Sequence, residues 1–167
     1  MINWIALVLT AALALWQVPS QAQARVYNQA ELDALTKALE APQRPVAAIV
    51  GGAKVSTKLD LLGNLVAKVD VLMIGGGMAN TFLLALGKPV GRSLAEGDLA
   101  GTARDILAKA KTKGCEIVLP VDGVVAQNFE ANAPSRVVAV DSVGSDDMIL
   151  DIGPRSIEHA VSVLARI

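Results

Sequence analysis

The chain has 167 residues, of which 53% are hydrophobic and 19% are charged, and its formal net charge is -1. This composition predicts a globular domain with a real core, excludes a disordered chain, and gives no sign of broad nucleic-acid binding. The lone cysteine (Cys115) and lone histidine (His159) exclude a disulfide framework and most metal or Ser-His-Asp schemes, and they favour a reducing compartment.

The first 28 residues differ in composition from the rest. Residues 5–16 (IALVLTAALALW) form an apolar run that is too short for a comfortable membrane span but suits the core of a signal peptide. Ala22-Gln23-Ala24 fits a cleavage signal, although no lysine or arginine precedes the run. The alternatives are a buried helix and a leader foreign to the fold. We therefore divide the chain into a leader, 1–28, and a partial α/β domain, 29–167, with membrane association of the leader not favoured.

The domain begins with a predicted helix–strand–helix unit. Asn28 is a candidate N-cap and Pro42 a stop for the first helix, and the continuous apolar run 46–50 (VAAIV) predicts a strand buried on both faces. Thr57 and Asp60 match a capping box at the start of a second helix. The predicted buried stripe of that helix contains Leu62, Leu65, Val66 and Val69.

The strand–helix pattern then repeats. Residues 69–74 (VDVLMI) predict a second buried strand, and Ser93 with Glu96 predicts the start of a further helix that Gly114 ends. The apolar positions of that helix are Leu99, Ile106, Leu107 and Ala110.

Three more strands are predicted before a last helix. They cover 115–120 (CEIVLP), 136–140 (RVVAV) and 148–153 (MILDIG), and Pro154 begins the helix. The apolar residues Ile157, Val161 and Leu164 lie on one side of this predicted helix. This alternation predicts a parallel sheet with helices on both faces. We expect further strands beyond Ile167, because no helix stop signal precedes the end of the sequence.

Two lysines follow the first strand, in GGAKVSTK (51–58). Lys54 and Lys58 flank the predicted start of a helix, where the helix dipole disfavours cations unless an anion is bound. Glycine amides and two converging ammonium groups suit a polyphosphate, whereas the alternative is a pair of ordinary solvated lysines. The segment is not a Walker A loop, because it lacks the G-x-x-x-x-G-K-[ST] pattern.

Three glycines, Gly75-Gly76-Gly77, follow the second strand. Without a nearby charge they suit the approach of a flat, neutral group such as a purine, and tight strand-to-helix packing is an equal alternative. Ligands bind beyond the carboxyl ends of strands in open α/β sheets, so the two strand ends predict one site with a phosphate end and a base end.

Other polar residues have simpler interpretations. Cys115 is predicted to be a small buried hydrophobe, His159 a surface residue, and Arg155 a helix N-terminal residue without a compelling ligand. Residues predicted to be caps or turn residues rather than catalysts are Asp122, Asp146, Asp147 and Asp151.

Four segments together resemble one family, phosphoglycerate kinase. They are VAAIVGGAKVSTKLDLL, LMIGGGMANTFL, CEIVLPVD and MILDIGPRSIE, in that order, from about Leu32 to the end of the chain. The resemblance implies the first part of a Rossmann-like nucleotide-binding domain from a glycolytic kinase. That family transfers a phosphoryl group between 1,3-bisphosphoglycerate and ADP to give 3-phosphoglycerate and Mg-ATP.

The resemblance also implies roles for individual residues. Lys54 resembles the catalytic lysine that stabilises the transferring phosphoryl group, and Lys58 the lysine on the nucleotide phosphates. The positions that resemble the adenine and ribose pocket are Ala53, Gly76, Gly77, Ile149 and Leu150. ATP or ADP with Mg2+ is the implied ligand, the metal being held mainly through the nucleotide, and no protein metal ligand is predicted.

The departures from the family pattern limit the expected activity. The basic patch that holds the acid substrate, the GGGDT loop and the acidic ribose ligand do not occur in this sequence. We therefore expect a partial chain that is not a competent kinase alone, with 3-phosphoglycerate bound only if the missing domain is supplied. The alternative is a non-catalytic fragment, at most a weak nucleotide-binding module. The family implies a cytoplasmic location, and the signal-like residues 1–24 leave export as an alternative.

Overall fold

A computed structural model describes residues 43–167 of the chain. The predicted leader and the helix predicted between Asn28 and Pro42 lie outside the described residues. Within 43–167, no helix is both long enough and apolar enough to cross a membrane.

A three-stranded parallel sheet, sheet 1, forms the first half of the fold. Its strands are β1 (Ala47–Gly51), β2 (Val71–Gly75) and β3 (Glu116–Val118), in the order β1-β2-β3. Parallel pairing is thereby confirmed for the first three predicted strands. The burial predicted for the first strand is wrong, because β1 lies at one side of the sheet and its Ile49 side chain is 69% exposed.

Helices cover both faces of sheet 1, as the alternation predicted. Three of them, α1 (Leu59–Leu65), α2 (Gly76–Ala85) and α3 (Ala100–Lys113), contribute to the main core together with the sheet. The fourth, α4 (Pro154–Leu164), packs Val163 against the opposite face of the sheet. The largest fully buried side chains of the main core include Leu62, Leu72, Met78 and Phe82.

The starts of α1 and α3 differ from their predicted caps. Helix α1 begins after Lys58 without a side-chain cap, and the Thr57 hydroxyl donates instead to the Lys54 carbonyl at 3.1 Å. A 3-10 turn, Gly97–Leu99, precedes α3, so Ser93 and Glu96 do not form its capping box. Both side chains bind residues distant in sequence, which a local pattern does not reveal.

The end of α3 is as predicted. Gly114 adopts the left-handed conformation with φ of 73°, a conformation that glycine takes without steric cost. Its successor Cys115 is buried, and this burial raises the pKa of the thiol.

A second sheet, sheet 2, is antiparallel and corrects the prediction of a wholly parallel architecture. It contains β4 (Asp122–Ala126), β5 (Ser135–Ala139) and β6 (Met148–Ile152) in the order β5-β4-β6. Strand β4 was not predicted, because Asp122-Gly123 is typical of a turn. The short link 127–134 cannot make the crossover that parallel neighbours need, so β4 and β5 form a hairpin.

The apolar side of α4 is largely exposed. Ile157, Val161 and Leu164 are 51%, 61% and 41% exposed, whereas Ser156 and Val163 are buried. The apolar stripe was correctly recognised as helical, but periodicity alone does not show which side of a helix meets the sheet. His159 is exposed, as predicted.

Asp122 caps α4 from β4, 33 residues before the first amide it binds. Its carboxylate accepts the backbone amides of Arg155 at 3.1 Å and Ser156 at 2.8 Å, and also the Ser156 hydroxyl at 2.6 Å. Burial alone would raise the pKa of the Asp122 carboxyl, but these hydrogen bonds outweigh burial and the pKa lies below its ordinary value. The predicted role of Asp122 as a cap is thereby confirmed.

Replacing this cap should destabilise the fold. We expect Asp122→Ala to lower the free energy of unfolding by roughly 2–3 kcal/mol at neutral pH, because two helix amides lose their acceptor. Urea unfolding followed by circular dichroism measures the change, with the exposed Asp146→Ala as a control of equal charge. The stabilisation by Asp122 is present at neutral pH and is lost as the pH falls through its lowered pKa. Equal midpoints for the two variants would contradict the assigned cap.

Candidate functional site

The loop that follows β1 lies against the first turn of α2, which follows β2 directly, at the carboxyl edge of sheet 1. Gly51 pairs with Gly75 at the strand ends, and the Met78 amide donates to the Gly52 carbonyl at 2.9 Å. A Cβ atom at residue 76 would stand 2.9 Å from the Gly52 oxygen, which is closer than real Cβ contacts. Gly76 also has a φ of 67°, so glycine is required here on two grounds.

The same contact continues one residue further. A Cβ atom at residue 77 would stand 2.9 Å from the Ala53 carbonyl oxygen and 3.2 Å from Leu94 Cδ2. Gly76 and Gly77 therefore serve tight packing, one of the two interpretations of the three glycines. The packing is between the loop after β1 and the first turn of α2. This contact brings Ala53, a predicted pocket residue, against Gly77, another one.

Both predicted lysines precede the helix rather than flanking its start. Lys54 is exposed in the loop, and Lys58 is the residue immediately before α1. The Lys58 amide donates to the Val55 carbonyl at 2.8 Å, which closes a turn between the two lysines. Helix α1 has only seven residues, so an anion here would depend on the lysine side chains more than on a helix dipole.

The Lys58 side chain folds back towards Gly52, in the loop after β1. Its Cε atom lies 3.8 Å from the point where a Cβ at residue 52 would stand, and Met78 Cε lies 3.7 Å from the same point. Because residue 52 has no side chain, the aliphatic part of Lys58 fits beside the contact between this loop and α2.

A cleft of about 560 Å³ opens beside the first turn of α2. One wall is the start of α2 with Gly76 and Gly77, and the other is strand β6 with Ile149 and Leu150. Four predicted pocket residues thus line one cavity, whereas Ala53, Lys54 and Lys58 are not among its lining residues. Further lining residues are Ala79, Asn80, Leu83, Leu94, Pro120, Val140 and Met148.

A β-bulge shapes the β6 wall of the cleft. Val125 pairs with Ile149 and Val124 pairs with Asp151, so Leu150 has no partner in the ladder. Neighbouring side chains of a regular strand point to opposite faces, and the bulge interrupts this alternation. Leu150 remains 44% exposed at the cleft, and the Ile149 amide is held by the Ser93 hydroxyl at 2.8 Å.

Phe129 and Arg92 are among the cleft residues that the sequence analysis did not predict. Phe129, in the β4–β5 link, lines the cleft although its side chain is 85% exposed. Arg92 also lines the cleft and has a cationic side chain. Its Nη1 donates to the Gln127 carbonyl at 3.3 Å. An aromatic residue in a polar link was the available signal for Phe129, and nothing local distinguished Arg92.

Asp147, another of the predicted turn aspartates, holds the turn that precedes β6. Asp147 is buried, accepts the Gly144 amide at 2.8 Å and pairs with Arg136 at 2.6 Å. The Gly144 amide and the Arg136 guanidinium lower the pKa of Asp147. Burial has the opposite effect, but the pKa stays below its ordinary value. Asp151 lies in β6 and lines the cleft. Across residues 43–167, no three acidic, histidine or cysteine side chains converge in a way that could hold a metal ion.

The fold and the cleft define a class: an α/β protein with a ligand-sized cavity at the carboxyl edge of parallel strands. A family model described as phosphoglycerate kinase matches residues 15–167. The chain therefore belongs to the phosphoglycerate kinase family, and the resemblance seen in its motifs is confirmed.

Individual relatives agree with this assignment. The phosphoglycerate kinase of Xanthobacter autotrophicus is 71% identical over 129 residues, which is 77% of this chain and 33% of that protein. That of Rhodospirillum centenum is 62% identical over 130 residues, 78% of this chain and 33% of that protein. This chain thus spans about a third of the length of the curated relatives it matches.

A solved structure is similar over the same range. The phosphoglycerate kinase from Coxiella burnetii has 44% sequence identity and a TM-score of 0.79. The similarity covers 82% of this chain and 35% of that one.

Gly76→Ala should test the contact between the loop after β1 and the first turn of α2. We expect it to lower the free energy of unfolding by about 2–4 kcal/mol, because an alanine suffers both the positive φ and the clash with Gly52. Gly87→Ala is the matched control, since Gly87 has a φ of 76° but no atom within 4 Å of its added Cβ. It should cost only about 1 kcal/mol. Equal losses in urea unfolding would show that backbone strain alone accounts for Gly76.

Proposed function

We propose that residues 43–167 provide the nucleotide site of a phosphoglycerate kinase. In this proposal the cleft takes the adenosine, and Lys54 and Lys58 bind the phosphates. The whole protein would transfer a phosphoryl group between 1,3-bisphosphoglycerate and ADP, giving 3-phosphoglycerate and ATP in glycolysis. The observation that carries the proposal is the packing of the Ala53 loop on Gly77, because it joins the lysine segment to the cleft in a family member.

The cleft walls suit a purine and its sugar. Gly76 and Gly77 present backbone without side chains on one side, and Ile149 and Leu150 present apolar side chains on the other. Such a slot accepts a flat ring between apolar surfaces, with a small number of polar groups left to orient it. Asn80 and Asp151 are polar lining residues of this kind.

The lysines suit the phosphate end of the same ligand. Phosphoryl transfer depends mainly on positioning and on neutralising the charge of the transferring group, so two cations beside the nucleotide supply what the reaction requires. In the proposed roles, Lys58 holds the nucleotide phosphates and Lys54 stabilises the transferring group. Magnesium is the metal implied by this chemistry. Because the described residues form no ligand cluster, we propose that the nucleotide phosphates themselves carry it.

We further propose that this chain binds nucleotide without transferring phosphate by itself. The chain spans about a third of its curated relatives, and its sequence lacks the family's GGGDT loop and the basic patch for the acid substrate. The alternative, a fragment without even nucleotide binding, is separated from this proposal by direct titration. We propose a cytoplasmic location from the family, with export as the alternative if residues 1–24 act as a signal.

Titration with Mg-ADP and with magnesium tripolyphosphate should separate the two ends of the site. Lys58→Ala should weaken both ligands by about tenfold or more, because a charge-assisted contact is lost. Leu150→Asp should weaken Mg-ADP but leave tripolyphosphate unchanged, because it alters only the adenosine wall. Isothermal calorimetry on the full chain measures both affinities.

The control for charge is Lys111→Ala, an exposed lysine on α3. It should bind both ligands like the native chain. Absence of saturable Mg-ADP binding by the folded native chain would reject the proposed site. Loss of tripolyphosphate binding in Leu150→Asp would reject the division into two ends.

Turnover should be absent from the purified chain. We expect no ATP formation above background from 1,3-bisphosphoglycerate and Mg-ADP in a coupled assay, because positioning requires both substrates to be held together. A full-length relative, such as the Xanthobacter autotrophicus enzyme, serves as the positive control. Turnover by the isolated chain that is lost in Lys54→Ala would show that it is a complete catalyst.

A further inference from the structure

The Glu96 side chain connects the segment before α3 to residues 52–58, the loop that carries Lys54 and Lys58. We call this loop the lysine loop. Its Oε2 accepts the Ser56 amide at 3.0 Å and its Oε1 accepts the Ser56 hydroxyl at 2.6 Å. Both oxygens of one carboxylate are therefore engaged by a single residue 40 positions earlier in the chain.

Glu96 is itself fixed to the helix that begins at the cleft. Its backbone amide donates to the hydroxyl of Thr81, a fully buried residue of α2, at 3.0 Å. Two residues earlier, the Leu94 carbonyl accepts the side-chain amide of Asn80 at 3.1 Å. The acceptor that holds Ser56 is thus anchored to α2.

Ser56 is the midpoint between the two lysines. Val55, the residue before Ser56, is fully buried, and Ser56 itself is held by Glu96. Ser56 lies within the turn that the Lys58 amide closes on the Val55 carbonyl. Holding Ser56 at both its amide and its hydroxyl therefore restricts the backbone that carries Lys54 and Lys58.

We propose that Glu96 is a positioning residue that preorders the lysine loop for phosphate binding. The inference rests on the proposed nucleotide site and adds a residue to it. Ordering a loop costs conformational entropy, and a site that is already ordered binds its ligand more tightly. Glu96 supplies this order without touching the ligand.

The charge of Glu96 makes the proposal testable, because its electrostatic effect has the opposite sign. A carboxylate near Lys54 repels phosphate, so its removal would strengthen anion binding if charge alone mattered. The Ser56 hydroxyl, then the Ser56 amide, and more weakly the charge of Lys54 lower the pKa of Glu96 against the effect of burial. Lys54 is the charged group acting on it from the loop, whereas its α2 neighbours Asn80 and Thr81 carry no charge.

The first experiment measures Mg-ADP affinity of the full chain by calorimetry. Glu96→Ala should weaken binding by about fivefold to tenfold, through loss of loop order. Glu96→Gln keeps one acceptor oxygen for the Ser56 amide and should bind more tightly than Glu96→Ala. Ser56→Ala, which leaves the carboxylate in place, should weaken binding in the same direction.

The matched control is Asp98→Ala, which removes an exposed carboxylate two residues away. It should bind Mg-ADP as tightly as the native chain or slightly more tightly. Native or tighter binding by Glu96→Ala would overturn the proposal, as would equal weakening by Asp98→Ala.

The second experiment observes the loop without nucleotide. The Ser56 amide proton, followed by NMR, should shift as Glu96 is protonated, and this step should vanish in Glu96→Ala. Because the pKa of Glu96 is lowered, the contact is complete at neutral pH and is lost as the pH falls through that lowered pKa.

The two experiments separate the proposals. A native chain that does not bind Mg-ADP rejects the nucleotide site, but loss of the Ser56 step in Glu96→Ala still supports the positioning contact. A Ser56 amide that ignores pH, or whose shift survives in Glu96→Ala, overturns the positioning role.

Discussion

The closest backbone approach in the site sets the arrangement of everything around it. The carbonyl oxygens of Gly52 and Ala53 occupy the space where side chains of residues 76 and 77 would otherwise stand. Because the backbones of the loop after β1 and of α2 are in direct contact, the lysine segment and the first turn of α2 form one assembly. Neither can move far without separating the Met78 amide from the Gly52 carbonyl.

The other wall of the cleft comes from a different kind of structure. Strand β6 belongs to an antiparallel sheet, and α4 follows it with a cap that Asp122 supplies from β4. A buried carboxylate bound by several donors is a demanding arrangement, since losing a partner leaves a polar group buried and unpaired. Asp122 therefore links sheet 2 to the helix that covers the second face of sheet 1.

Local patterns predicted the parts of the structure that depend on neighbouring residues. The buried run 71–74, the αL stop at Gly114 and the glycine loops at the strand ends all follow from short-range chemistry. Ser93 and Glu96 look like a capping box in sequence, yet each binds a residue at least 40 positions away. Long-range pairing of this kind outweighs a helix cap, and no local pattern reports it.

The candidate site divides along the same line. Gly76 and Gly77 could be recognised from their position after β2, and the lysines from their charge beside glycine. The exposed apolar face of α4 shows the limit most clearly, because the stripe was visible in the sequence but its partner surface was not.

The bulge in β6 has a consequence for how such a cleft can diverge. Val124 pairs with Asp151 and Val125 with Ile149, so Leu150 contributes nothing to the hydrogen-bonded ladder. Deleting that codon would leave every other pair of the strand in register. Natural variation can therefore alter both the side chain and the length of the cleft wall at this point while the sheet beneath it is inherited unchanged.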